Sequence, residues 1–190
     1  MSEPSSRLPL LPVEQALKAA ETVDVNAQIA ELNVFRALLH RPALAKAVND
    51  LLFALLFRGS LDARLRELVI MRIGWQTDSV YEWTQHWRVA KQLGVSEEDL
   101  LGVRDWRASD RFDAADRAVL AATDETLETG TLSDATWSGC ERQLGATTDR
   151  LELVAAIGTW RMISSLLRSL EVPLEEGVEA WPPDDRRPAG

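Results

Sequence analysis

Cysteine is nearly missing from this sequence: Cys140 stands alone among 190 residues. A single thiol excludes an intramolecular disulfide, a C-x-x-C redox pair and a thiolate-rich zinc site. Histidine is almost as scarce, with only His40 and His86, so no metal centre and no metal cofactor are expected. Positive charge is in deficit too: 21 Lys and Arg face 30 Asp and Glu, a formal charge of −9. A chain of that balance without a basic stripe repels phosphate backbones, so no nucleic-acid partner is expected. No run approaches the roughly 18 uninterrupted apolar residues of a membrane span, and the opening MSEPSSRLPLLP lacks the basic-then-apolar order of an export signal. The expectation is a cytoplasmic protein with no membrane partner. Tyrosine occurs once and phenylalanine four times, yet tryptophan occurs seven times, an excess that composition leaves unexplained.

What is present reads as helix throughout. Ala, Leu, Glu and Arg recur at helical spacing, and no segment keeps a two-residue alternation between turn signals. The length suits one domain on a prior of about 150 residues per domain. The spacing predicts an all-α single domain of about seven or eight helices over residues 13–172. A flexible start over residues 1–12 precedes it, and an extended tail over 173–190, rich in Pro and charge, follows. Trp181 is the one tail residue suited to pin that tail. The first helix is expected from Val13 to Leu39, Pro42 ends that neighbourhood, and a second helix carries Leu44, Val48, Leu51, Leu52, Leu55 and Leu56 until Arg58-Gly59-Ser60 breaks it. A third, Asp62 to Trp75, is apolar on nearly every side through Leu65, Leu68, Val69, Ile70, Met71 and Ile73, which suits the middle of a bundle. A fourth runs from Thr77 to Leu93 and stops at Gly94. Ser96 caps a fifth with an acidic first turn, and further helices follow from Asp113, Ser133 and Thr148 or Asp149. An echo links Arg66-Glu67-Leu68-Val69 before Ile73-Gly74-Trp75 with Leu151-Glu152-Leu153-Val154 before Ile157-Gly158-Thr159-Trp160. It fits either a duplicated unit or the chance likeness of apolar helices.

The chemistry concentrates on the fourth helix. At about 100° per residue, Trp83, Trp87, Ala90 and Leu93 fall on one core-facing arc. Asp78, Tyr81, Thr84, Gln85, Arg88, Lys91 and Gln92 mostly take the opposite, solvated face. Ser79, Glu82 and His86 lie inside the apolar arc at i, i+3 and i+7, one above another. Burying a carboxylate and an imidazole is costly unless they are paired or neutralised. Glu67, in the apolar run RELVIM with Arg72 as a possible partner, is a second such case. A short connection between the two helices would let both glutamates, the histidine and the serine converge in a tryptophan-walled pocket. A carboxyl raised by burial and an imidazole raised by a carboxylate both move toward neutral pH, which is what a proton relay needs. A structural ion pair that fixes helix packing is the competing reading.

The stretch Arg66-Glu67-Leu68-Val69, then Thr77-Asp78-Ser79-Val80-Tyr81-Glu82-Trp83-Thr84-Gln85-His86, then Ala90 and Gly94 before Glu97-Glu98, resembles the carboxymuconolactone decarboxylase and alkylhydroperoxidase D-like family. The match covers about Leu61 to Leu101, with compatible helix spacing from about residue 30 to 172. The resemblance implies an alkylhydroperoxidase D-like helical bundle that assembles into trimers or hexamers, with its active site near a subunit interface. Peroxidase-type members use two cysteines, a glutamate on the preceding helix and the motif histidine. Carried over by position, the glutamate is Glu67 and the histidine His86, while Ser79 and Glu82 fill the two cysteine positions. Neither can cycle through sulfur oxidation states, and Cys140 reads as a small buried hydrophobe.

Decarboxylase-type members carry Glu-x-x-x-His, as in Glu82 and His86, and act without metal or organic cofactor on a lactone acid. The resemblance therefore implies a cofactor-independent enzyme that moves protons on a small organic acid or lactone by decarboxylation, isomerisation or lactone opening. His86 would be the general acid/base, Glu82 would orient it, Glu67 would complete the relay and Ser79 would donate a hydrogen bond. Arg72 would clamp a substrate carboxylate, and Tyr81, Trp83 and Trp87 would wall the pocket. The chain departs from the decarboxylases in its additional N-terminal helix and in the aromatic Tyr81-Glu82-Trp83 context. The alternatives are an alkylhydroperoxidase-like antioxidant protein that has lost its redox cysteines, or a non-catalytic oligomeric binding protein.

Overall fold

A computed structural model describes residues 6–188, and every regular element in them is helical. The described residues form two compact units. Among the described residues, one takes in 6–58 together with Leu166–Val178, the other Gly59–Ser165 together with 179–188. The last helix contributes to both units.

The first unit opens with α1 (Val13–Glu21), α2 (Ala27–Ala30) and α3 (Asn33–Leu38), where one helix was expected from Val13 to Leu39. Two breaks account for the difference. Asp24 takes a left-handed φ of 54°, and the Asn26 side chain then caps α2 by accepting from the Gln28 amide; Leu32 is extended at ψ 137° and opens α3. Asp and Asn tolerate such conformations because their short side chains bond locally. Pro42 begins α4 (Pro42–Phe57) at the first helical position, where its missing N–H costs nothing. The start of the chain is anchored from residue 6 onward. The Ser6 hydroxyl donates to the Leu170 carbonyl at 2.9 Å, and the Arg7 and Leu11 amides donate to the carbonyls of Leu170 and Arg36. Residues 1–5 of the expected flexible start lie outside the described residues. Residues after Pro173 are held as well, since the Asn33 side-chain amide donates to the Pro173 and Leu174 carbonyls.

The second unit contains α5 (Ala63–Gln76), α6 (Val80–Gln92), α7 (Glu97–Gly102), a 3₁₀ turn (Val103–Asp105), α8 (Ala114–Thr129), α9 (Asp134–Gln143) and most of α10 (Thr147–Leu170). The Asp62 carboxylate caps α5 by accepting from the Arg64 and Leu65 amides. Every residue from Arg66 to Trp75 is buried, and α5 packs against both α6 and α8, the central position its all-round apolar surface demands. Gly74 sets how closely α5 meets α6: a Cβ there would lie 3.0 Å from the Trp83 amide nitrogen and 3.4 Å from the Glu82 Cβ.

The start of α6 differs from the expectation. Thr77 closes α5, Asp78 turns through φ 52°, and Ser79 is the extended residue just before Val80. Two residues placed on the solvated face of that helix, Tyr81 and Thr84, are buried, and Leu93, assigned to the core arc, is exposed. Thr84 is covered because its hydroxyl accepts from the Trp181 amide at 3.2 Å. Within the tail, which was expected to be extended, residues 182–185 form turns. Trp181 is buried there, and the Trp83 indole N–H donates to the Pro182 carbonyl at 2.8 Å. No helix among the described residues is long and apolar enough to cross a membrane.

Candidate functional site

Three of the four residues selected from the sequence converge. α5 supplies Glu67, which is fully buried, and α6 supplies Glu82 and His86 one turn apart. The tight α5–α6 contact at Gly74 and the brief Thr77–Ser79 connection hold the two helices side by side. Glu67 Oε2 lies 2.8 Å from His86 Nδ1, and Glu67 Oε1 accepts from the Arg66 guanidinium at 3.3 and 3.4 Å. On the other edge of the imidazole, the Trp160 indole N–H from α10 points at Nε2 from 3.1 Å. Glu82 Oε2 stands 3.8 Å from the same nitrogen.

An indole nitrogen only donates, so Nε2 accepts from Trp160 and the imidazole proton sits on Nδ1, donated to Glu67. His86 is therefore neutral here, with its tautomer fixed from both sides. A second proton at Nε2 breaks the Trp160 bond and turns that nitrogen toward Glu82. Burial alone would depress the His86 pKa, but the charge and hydrogen bond of Glu67, joined by the charge of Glu82, outweigh it and hold the pKa above its ordinary value. Burial pushes the Glu82 carboxyl up from 4.5 to about 7; His86 opposes the rise and Glu67 adds to it. Two groups with raised pKa values thus face each other across 3.8 Å.

Two buried polar atoms, Ser79 Oγ just before α6 and Glu82 Oε2 in its first turn, have no hydrogen-bond partner. Buried polar atoms are ordinarily satisfied, which makes these two oxygens exceptions in need of a role. Ser79 precedes the helix and makes no side-chain capping bond, which leaves its hydroxyl without a local role.

The remaining candidates lie elsewhere. Arg72 does not pair with Glu67, because residues five apart on a helix diverge by about 140°. Its guanidinium is committed to Asp124 at 2.6 and 3.1 Å and to the Val103 and Arg104 carbonyls at 2.8 and 2.9 Å. Asp124 also accepts from Trp106 and Arg107, so four of the five guanidinium N–H groups of Arg72 serve a structural network. Trp83 and Trp87 stack on each other with centroids 5.9 Å apart and join Trp75 and Trp181 in an aromatic cluster. Tyr81 is buried. The indole beside His86 is Trp160, edge-on at 5.8 Å between centroids. Neither Trp160 nor Arg66 was selected from sequence, although Trp160 closes the second copy of the echo and Arg66 opens the first. Cys140 is buried, and burial raises its thiol pKa. Among the described residues no group of three or more His, Cys, Asp or Glu side chains is arranged to hold a metal ion.

Residues 42–125 match the model of the carboxymuconolactone decarboxylase family. Solved structures share the fold. A peroxidase-related protein with an alkylhydroperoxidase AhpD core from Ralstonia eutropha is 17% identical, with 92% of this chain and 95% of that one covered at a TM-score of 0.73. A peroxidase-related protein from a Silicibacter species is 14% identical, covering 94% and 97% at a TM-score of 0.76. The debrominase Bmp8, as a cysteine-to-alanine variant in complex with 2,3,4-tribromopyrrole, is 15% identical, covering 93% and 94% at a TM-score of 0.71. Among curated proteins none matches the sequence.

Proposed function

Residues 42–125 belong to the carboxymuconolactone decarboxylase family, and on that premise we propose that the protein is a cofactor-independent enzyme that moves protons on a small organic acid or lactone. The observation that carries this reading is the suspension of His86 between Glu67 at 2.8 Å and Trp160 at 3.1 Å, with the unpartnered Glu82 oxygen beside it. The neutral imidazole is the base. A substrate C–H bond breaks, its proton goes to Nε2, and the electron pair enters the adjacent carbonyl as an enolate. Glu67 stabilises the imidazolium that forms. Glu82, protonated below about pH 7, donates to the developing oxyanion, and Ser79 Oγ supplies a second donor. In a decarboxylation the C–C bond breaks instead, carbon dioxide leaves, and a proton held on Nε2 is delivered to the carbanion. The two unsatisfied oxygens of Ser79 and Glu82 suit an oxygen-rich substrate.

A thiol peroxidase reading gains no support from Cys140, which is buried and is the chain's one cysteine. Assembly into a trimer or hexamer is part of the proposal, supported by apolar side chains exposed along α4, among them Leu44, Leu51, Phe53 and Phe57.

The test is proton NMR in deuterium oxide with carboxymuconolactone and a panel of lactone acids. The expected result is deuterium entry at carbon or loss of carbon dioxide, slowed about 100-fold or more by His86→Ala and by Glu67→Gln. Turnover indifferent to both substitutions, or no exchange with any member of the panel, overturns the proposal.

A further inference from the structure

Arg104 is a second buried cation that the relay does not use. It sits in the 3₁₀ turn, its side chain only 9% exposed. Its guanidinium carbon lies 4.7 Å from the Trp75 ring centroid and 4.9 Å from that of Trp83. Both terminal nitrogens fork onto one carboxylate: Nη1 donates to Asp184 Oδ2 and Nη2 to Asp184 Oδ1, each at 2.8 Å. Nε is buried without a partner. The partner carboxylate comes from the short tail segment after Trp181, and its side chain is 45% exposed. A cleft of about 550 Å³ opens beside the pair, lined also by Trp75, Leu101, Gly102, Asp105 and Arg186. None of Glu67, Glu82 and His86 lines it.

A guanidinium fixed against aromatic faces and forked on a carboxylate is the arrangement by which proteins recognise planar anions. For the architecture alone it is an uneconomical one, since a buried cation must be desolvated and here leaves one donor unused. The surroundings favour a ligand. The cleft falls within the roughly 300–1,000 Å³ of small-molecule sites, Trp75 and Leu101 give it apolar lining, and Arg186 adds an exposed positive charge at the rim. Asp105 at the same rim disfavours a second negative charge. We propose that Arg104 is a carboxylate-recognition site, filled in this structure by the chain's own Asp184, and that a small monocarboxylic acid with a planar apolar body takes the site by displacing Asp184. The Asp184 carboxyl, held at about 2 chiefly by its hydrogen bonds from Arg104, is anionic at any working pH and competes throughout.

This inference stands apart from the relay. Its test is isothermal titration calorimetry of the full chain with benzoate, and with benzamide as the neutral isostere. Asp184→Asn, which keeps the shape and removes the competing charge, is expected to tighten benzoate at least tenfold over the wild type. Benzamide is expected not to bind, and Arg104→Gln is expected to abolish benzoate binding. Arg104→Lys, which keeps the charge and loses the fork, covers the case in which the glutamine variant fails to fold; it is expected to weaken benzoate tenfold or more. Benzoate binding that Asp184→Asn leaves unchanged, that benzamide matches, that persists in Arg104→Gln, or that Arg104→Lys leaves at wild-type strength overturns the proposal.

Discussion

At the residue scale, the protonation of Glu82 links the site to stability. Its folded pKa of about 7 lies above the ordinary 4.5, so between those values the folded protein holds a proton that the unfolded chain has released. Stability therefore falls as pH rises through that window, and the full penalty, roughly 3 kcal/mol, applies above pH 7. His86 acts in the same direction. With its pKa raised, its contribution is complete below the unfolded value of about 6.5 and fades as pH climbs through the folded one. Glu82→Gln is expected to be more stable than the wild type at pH 8 and nearly equal to it at pH 4.5, while losing activity. Urea denaturation at the two pH values checks this, with a residual slope from His86 left in the variant. Glu67, Glu82 and His86 were legible in the sequence because polar groups on an apolar helical face stand out, and histidine is rare enough to notice. Trp160 and Arg66 were not, since a buried tryptophan and an exposed arginine are the ordinary readings of those letters. Only the approach of α10 to α6 gives Trp160 a polar partner.

At the element scale, the α5–α6 contact holds the relay together. Gly74→Ala sets a methyl group 3.0 Å from the Trp83 amide nitrogen and 3.3 Å from its Cα. That neighbour is backbone, so the helices must separate. The expected cost is about 1–3 kcal/mol, read as a lower urea midpoint, together with a weakened Glu67–His86 hydrogen bond seen as a fall in the imidazole pKa by NMR. Helices announced by capping residues were legible nearly to the residue: Asp62 caps α5, Ser96 caps α7, Asp113 caps α8 and Ser133 caps α9. The long first helix was misread because Ala, Leu and Glu keep their helical spacing on both sides of the Asp24 and Asn26 breaks. The fourth helix was begun at Thr77 for a similar reason, since Asp78 takes its left-handed turn without a glycine to mark it.

At the scale of the whole molecule, the proposed assembly has its own prediction. Phe57 is 70% exposed, and Leu44, Leu51 and Phe53 on α4 are exposed as well, more apolar surface on one helix than scattered single residues explain. Sedimentation velocity is expected to give a trimer or hexamer, with Leu51→Glu plus Phe57→Glu shifting the population to smaller species. The helical class, the central position of α5 and the end of α10 before Pro173 were readable from pattern alone. The two compact units and the turns of the tail were not, because they depend on contacts between residues more than 70 positions apart, such as those of Trp83 with Pro182 and Trp181. The tryptophan excess finds its main explanation in that same place. Trp75, Trp83, Trp87 and Trp181 lie with neighbouring ring centroids 5.2–6.1 Å apart, close enough for their electronic transitions to mix. The molecule thus carries a built-in optical gauge: four coupled oscillators whose combined ultraviolet circular dichroism differs from the sum of isolated indoles. Withdrawal of Trp181 removes one of the four, so an opening of the tail registers as a changed signal while the helical content stays constant.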